Sequence, residues 1–425
     1  MQERTIVLRS VIAKAVVALI AIVALGTAII GAKWQLGDML AATTDPADEQ
    51  AVELSDAALR LAPADPRALA LRAQIGDLPM SEQIPALELA ENSVRAAPGD
   101  YRWRITLARA LVDATRVDDA EREFRRAIDL APTYAVCRWY FGNFLLRQGR
   151  REEAFAQFRL ATSDPFYRQQ SLALVWDLTH DVAAVDATAG DQPDSTAFLS
   201  LFLAAHNDPE DALAVWNRLP DEEKRKRVAE AKTIATVLLQ RHRYEAGLGF
   251  VHHAGEELEA RPGAITNPSF ESSVDSGVPT TFGWRIARND PKLDLLLDDK
   301  VSHEGRRSLR MTFRGTARPD LFNTAQTVAV NPGQKYRLTF WVRTENLKAV
   351  SGPIISVATG DESKVLGATQ PFPNGTSDWR QMTVDFSVPA DVDGIEIRTL
   401  RGGCGGDDCV ITGVVWYDDF ALARL

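Results

Sequence analysis

The sequence predicts a multidomain α plus β chain: an N-terminal transmembrane helix, an α-helical repeat solenoid and a C-terminal all-β jelly-roll sandwich. Three observations carry that prediction. An uncharged apolar run of 18 residues, Ala15 to Ala32, stands near the N-terminus. Prolines 63, 98, 132 and 165 recur at spacings of 35, 34 and 33 through a region rich in Ala, Leu and Arg. After "EARPGAITNP" the hydrophobic period changes from 3.6 to 2.

At 425 residues the chain exceeds one ordinary core, and two or three domains follow. With 45% hydrophobic and 25% charged residues it has the balance of a folded globular protein. A formal charge of −10 argues against a nucleic-acid partner, which would call for a basic face.

The apolar run is about the minimum for a bilayer core of ~30 Å at ~1.5 Å per residue. Arg4, Arg9 and Lys14 precede it, and Asp38, Asp45, Asp48 and Glu49 follow it. The positive-inside rule then makes residues 1–14 a cytoplasmic tail, 15–34 the membrane segment and 35–44 a linker to an exported remainder. Trp34 falls where an interfacial aromatic sits. A cleaved signal peptide ending at Ala28 or Ala32 is the alternative, although the run is longer than the usual ~7–15-residue signal core. Both readings export the chain, to the periplasm or beyond if the membrane is a bacterial inner membrane.

Residues 45–257 read as about six helical hairpins. "LRLAPADP", "VRAAPGDY", "IDLAPTYA" and the looser "ATSDPFY" share a form. Between the second and third prolines come Leu107, Ala108, Leu111, Ala120, Phe124 and Ala127. One period later come Phe141, Gly142, Leu145, Ala154, Phe158 and Ala161. Small residues fall where helices approach closely, large ones fill the gaps, and proline sits in the turn. This pattern resembles the tetratricopeptide repeat, a helix–turn–helix unit of 34 residues. A further pair, Ala212 with Trp216 and Ala246 with Phe250, is again 34 apart, and the register breaks between Pro165 and Asp208. Such arrays hold peptides or partner helices on a concave face. Arg102, Arg104, Arg109, Arg138 and Arg147 fall on the first helices of two neighbouring repeats, which build that face. They suit an acidic peptide, a carboxylate or an anionic polymer, unless they form an ordinary solvated face.

Residues 258–263 form a second linker, and period-2 segments fill 264–425. "YRLTFWV", "MTVDFSV", "GIEIRTL" and "VVWYDDFAL" alternate, with turn signals at Asn331-Pro332-Gly333 and Asn374-Gly375. About eight short strands make a two-sheet sandwich. In order, "NPSFE", Gly283-Trp284, "HEGRRSLRM", "VNPGQKYRLTFWVR", "DWRQMTVDFSVPADVDGIEIR" and "VVWYDDFAL" resemble the carbohydrate-binding modules of families four and nine, which are galactose-binding-like jelly rolls. The resemblance implies a structural calcium where the first and last strands meet, held by Glu271 and Asp418, with glycan as the ligand. Carboxylates suit Ca²⁺, which takes ~6–8 oxygens; without an ion, Glu271 caps a strand end and Asp418 is solvated. Trp284, Trp341, Trp379 and Trp416 are the candidate sugar platforms by residue type, but each is more simply core, and the sugar-contact residues stay unassigned.

Of three cysteines, Cys404 and Cys409 bracket "GGDD" and fit a short disulfide loop, which an exported domain favours; two unrelated thiols are the alternative. Cys137 reads as a small buried helical residue. The histidines His180, His206, His242, His252, His253 and His303 share no metal spacing, and no P-loop or nucleophile elbow occurs. The expectation is therefore a non-enzymatic, membrane-anchored, exported scaffold. It would bind a protein partner through its repeats and glycan through its jelly roll, in surface polysaccharide assembly or export. The alternative is an interaction subunit whose jelly roll no longer binds sugar.

Overall fold

The computed structural model describes residues 11–75, 86–274, 280–286, 291–316, 324–401 and 409–425. They form two compact units, Met1–Gly190 and Asp191–Leu425.

The first unit opens with one helix, Val11–Thr43. At ~1.5 Å rise per residue its 33 residues span about 50 Å. Its apolar part, within Lys14–Thr43, is long enough to cross a membrane and makes no packing contact inside the protein. Residues 35–44, read above as a linker, are a correction: the helix runs through them and packs. Gly37 sits so close to the next helix that a Cβ there would lie 2.6 Å from Ala62 Cβ. Asp38 pairs with Arg67 at 3.4 Å. Ala41, Ala58, Ala68 and Leu71 close a small core behind them. Nothing in "KWQLGDMLAA" breaks a helix, and its small residues allow the close approach.

Helical hairpins follow: Ala51–Leu61, Pro66–Gln74, Ala86–Ala96, Tyr101–Asp113, Val117–Leu130, Ala135–Arg147, Arg151–Ala161, Pro165–Thr179 and Val182–Ala189. The signature residues pack as their spacing predicts. Ala108, Ala120, Phe124, Ala127, Phe141, Leu145, Ala154, Phe158 and Ala161 are all buried. A Cβ on Gly142 would meet the Phe158 ring at 2.6 Å, so glycine permits that helix crossing. Pro66 and Pro165 open helices whose N-terminal N–H groups donate to the Asp65 and Asp164 carboxylates. The register break has a physical cause: the helix Val182–Ala189 has only eight residues and ends at Gly190, where the first unit ends.

The second unit begins with helices Pro193–Ala205, Pro209–Asn217, Asp221–Lys226, Val228–Gln240 and Tyr244–His253. Trp216 and Phe250, the 34-residue pair, meet edge to face at 5.4 Å, fully buried. Among the described residues ten strands follow, where about eight were expected: β1 Arg285–Ile286, β2 Leu293–Asp298, β3 Ser308–Thr316, β4 Thr324–Ala329, β5 Lys335–Ala349, β6 Pro353–Thr359, β7 Val365–Ala368, β8 Gly375–Ser387, β9 Gly394–Arg401 and β10 Ile411–Arg424. They form two five-stranded sheets, in the orders β1-β4-β9-β6-β7 and β2-β3-β10-β5-β8. All pairs are antiparallel. The alternating residues named from the sequence, including Tyr336, Leu338, Phe340, Val342, Val384, Phe386, Ile395 and Ile397, fill one core between the sheets.

Residues 258–263 also differ from the linker expected. Ala260 is buried, and Gly263 donates its N–H to Ala329 O at 2.7 Å. Just before them, the Glu257 carboxylate accepts bonds from Thr280 Oγ1 and from the N–H groups of Thr281 and Phe282 at 2.6–2.8 Å. The last helices and the sandwich are thus packed as one unit, because a carboxylate and a backbone ladder fix the junction.

Candidate functional site

Strand β10 bulges between Asp418 and Ala421, where Asp419 has φ +49. That bulge turns two adjacent carboxylates toward the 302–307 loop. Asp418 is fully buried and accepts N–H bonds from His303 at 2.7 Å and Asp419 at 2.9 Å. Burial pushes its carboxyl up to about 6, and the neighbouring Asp419 charge adds to the effect. Glu271 grips the other end of the same loop, accepting from the N–H groups of Arg306 at 2.6 Å and Arg307 at 2.9 Å. Those bonds hold it below the usual carboxylate range. Gly305 lies between, with φ +66 and room for no Cβ beside Glu271 Oε1.

The structure therefore brings the two expected calcium ligands to one loop. It adds a cluster that histidine spacing did not reveal: ligand atoms of His303, Glu304 and Asp419 lie within 4.8 Å of one another. His303 Nδ1 is 2.6 Å from Asp419 Oδ2, and Ser269 Oγ donates to Asp419 Oδ1 at 2.6 Å. No cationic side chain pairs with buried Asp418 among the described residues. His303, Glu304 and Asp419 could together hold one cation, with the two carboxylates supplying oxygen and the ion supplying charge compensation, while Glu271 and Asp418 grip the same loop through backbone N–H groups.

The four tryptophans all have structural partners. Trp284 is core, packed on Phe270 and Phe420, and donates Nε1–H to Asn267 O at 3.1 Å. Trp416 is buried on the outer face of its sheet between the Arg310 and Arg343 guanidiniums, each 5.6 Å from the ring, and donates Nε1–H to Asp298 at 2.9 Å. Trp341 stacks on His303 at 3.9 Å, and Trp379 presents an edge to the same imidazole at 5.7 Å.

The outer face of the other sheet is polar yet buried. Ile395 and Ile397 of β9 point into the core, so Glu396 and Arg398 point outward, and both are buried. Arg285 on β1 reaches Glu396 at 2.5 Å and Thr327 Oγ1 at 3.0 Å. Arg398 pairs with Glu362 and lies 3.7 Å from Glu396. Burial pushes the Glu396 carboxyl up against the pull of the Arg285 guanidinium. Ser356 Oγ on β6, opposite Arg398, is buried without a hydrogen-bond partner among the described residues. Arg285 and Glu362, 37% and 50% exposed, are the more accessible members of this network. Tyr244 closes one end of the face: its ring lies where a Cβ on Gly394 or Gly360 would be, within 2.2 and 2.4 Å.

In the repeats the five arginines divide. Arg102 is bonded to Asp100 of its own turn at 2.5 Å, Arg104 to Glu123 at 2.8 Å and Arg138 to Gln157 at 3.1 Å. Arg109 and Arg147 have no such partner among the described residues, and both line a cavity of about 270 Å³ between the helices Tyr101–Asp113 and Ala135–Arg147. Cys137 is free and buried, and burial pushes its thiol up to about 11. Cys409 is disulfide-bonded and buried, while Cys404 lies outside the described residues.

The carboxylate cluster and the polar sheet face stand on a sandwich with a recognised sequence signature. Residues 263–401 match the carbohydrate binding domain family of modules four and nine. The match covers the sandwich as far as β9 and leaves the helices outside it. No curated protein matches the chain. Similar solved structures include one described as "CBM4 structure and function", 15% identical, covering 38% of this chain and 99% of that one with a TM-score of 0.28. Another is the CBM22-1 xylan-binding domain of Paenibacillus barcinonensis Xyn10C, 13% identical over 39% of this chain and 97% of that one, TM-score 0.26. A third is MamA, residue 41 to its end, from Desulfovibrio magneticus RS-1, 24% identical over 32% of this chain and 74% of that one, TM-score 0.26.

Sequence reasoning missed His303, Glu304, Asp419, Arg285, Glu396 and Arg398, because their partners lie 36 to 116 residues away in sequence and share no local period. The one usable signal was in "GIEIRTL": Glu396 and Arg398 alternate with the core isoleucines, so both had to share the face opposite the core.

Proposed function

We propose that this chain is a non-enzymatic, membrane-anchored scaffold whose carbohydrate-binding-type sandwich holds a glycan and whose repeats hold a protein partner. The family match over 263–401 is the observation that carries the glycan reading. The outer face of the β1-β4-β9-β6-β7 sheet supports a location for it. Arg285 and Glu362, the more accessible members of the network anchored by buried Glu396 and Arg398, are the polar groups there that would meet sugar hydroxyls. The four tryptophans serve packing in this reading. The exposed apolar helix supports anchoring, and the charges around it favour a cytoplasmic N-terminus with the chain after that helix exported, at a bacterial inner membrane. Surface polysaccharide assembly or export is the setting that joins a tethered glycan binder to a partner-binding array.

The full chain in detergent, screened on a glycan array with calcium and again with chelator, tests this function. Binding to a defined glycan class supports it. Silence from folded protein favours the alternative, a docking module without sugar, for which the burial of Trp284 and Trp416 speaks.

A further inference from the structure

Arg109 and Asn143 stand one repeat apart, at the same position of successive first helices, and so do Asp113 and Arg147 one turn later. The array therefore sets four polar side chains in two rows across one cavity, which the Trp139 and Tyr140 rings also line. Other arginines in this unit are matched with carboxylates, among them Arg67 with Asp38, Arg72 with Asp56, Arg104 with Glu123 and Arg150 with Glu121. Arg109 instead lies over the Tyr140 ring at 5.6 Å, and neither it nor Arg147 has a carboxylate among the described residues. Asn143 spends its Nδ2–H on Trp139 O at 2.9 Å, which leaves Oδ1 as an acceptor.

We propose that this cavity binds an extended segment of a partner protein through one internal aspartate or glutamate side chain, gripped by Arg109 and Arg147, with Asn143 Oδ1 accepting a backbone N–H of the same segment. This rests on the reading of the repeats as the partner-binding part, and it names the chemistry that they take. Guanidinium forks match a carboxylate, and the Trp139 and Tyr140 rings offer apolar contact to a neighbouring side chain. The volume, about 270 Å³, holds a side chain or two and not a folded surface. Asp113 on the rim decides against an anionic polymer, because it repels a second negative charge beside the first.

The test is selection of a random peptide library, blocked at both ends, on the full chain in detergent. Enriched peptides should carry one acidic residue beside an apolar one. Their affinity should fall about tenfold or more in Arg109→Ala/Arg147→Ala, as expected for loss of a charge-assisted pair. Both residues are exposed, so the double variant should melt like the parent, and Arg102→Ala should bind unchanged. Selected peptides that bind the double variant equally well overturn this site while leaving the repeats a partner-binding array. No enrichment at all overturns both. Binding that needs a free C-terminal carboxylate, or stronger binding of oligogalacturonate than of any peptide, also overturns the proposal.

Discussion

The Asp393 carboxylate caps the helix that begins at Tyr244, accepting the N–H groups of Tyr244 and Glu245 at 3.1 Å each across almost 150 residues of sequence. The Tyr244 ring then occupies the space that a side chain on Gly394 or Gly360 would fill, so the sandwich supplies both the cap and the seat of the last repeat helix.

Losing that cap should loosen the junction without unfolding the chain. Asp393→Ala should cost ~1 kcal/mol, the usual value of an N-cap, and speed amide exchange in 244–253. Gly394→Val should cost more, since its side chain and the Tyr244 ring need the same space. Exchange mass spectrometry reads both; unchanged protection at 244–253 in both variants would refute the coupling.

At the membrane end, Gly37→Leu should cost ~1–3 kcal/mol by overpacking against Ala62. The effect should show in the melting of the first unit. Gly31→Leu, on an open stretch of the same helix, should be silent. Equal melting of the two variants would mean that the anchor helix does not pack on the repeats.

Asp298 makes a pH prediction. Burial opposes its charge most strongly, but the Trp416 indole N–H and the Lys300 backbone N–H outweigh it and hold the carboxyl below its usual value. A depressed carboxylate stabilises the fold above the unfolded value near ~3.9, and that contribution is lost as pH falls through the folded value. Asp298→Ala should therefore cost ~1–3 kcal/mol at pH 7. The gap to the parent should narrow below pH ~4 as the parent's own carboxyl protonates. Thermal melts at pH 7 and pH 3 decide it; a gap of constant size would contradict the charge argument.

Chelation should lower the melting temperature of the second unit if a cation sits among His303, Glu304 and Asp419 beside the expected ligands Glu271 and Asp418. Asp418→Asn should abolish the difference between calcium and chelator. Calorimetry that shows identical melts of the parent in both buffers would remove the ion from the account.

Local periodicity made much of this architecture legible. Phe124, Gly142 and Phe158 announced helix crossings, and Leu338 and Phe340 announced a sheet face, because each element buries one side at a fixed repeat. What stayed hidden was set by chain topology. Nothing in "DVDG" says that Asp393 will cap a helix, nor in "SHEG" that His303 will meet Asp419. The two stretches read as linkers, 35–44 and 258–263, both pack, the first on the helices that follow it and the second on β4. The arginines show the limit from the other side, since residue type grouped all five and only packing separated Arg109 and Arg147 from the paired ones.

The most direct measurement compares the parent and Glu396→Ala, both full length in detergent, on one glycan array in calcium. The account predicts that the parent binds a defined glycan class and that Glu396→Ala, folded by circular dichroism, loses that signal. A parent that binds nothing, or a variant that binds as the parent does, would contradict it.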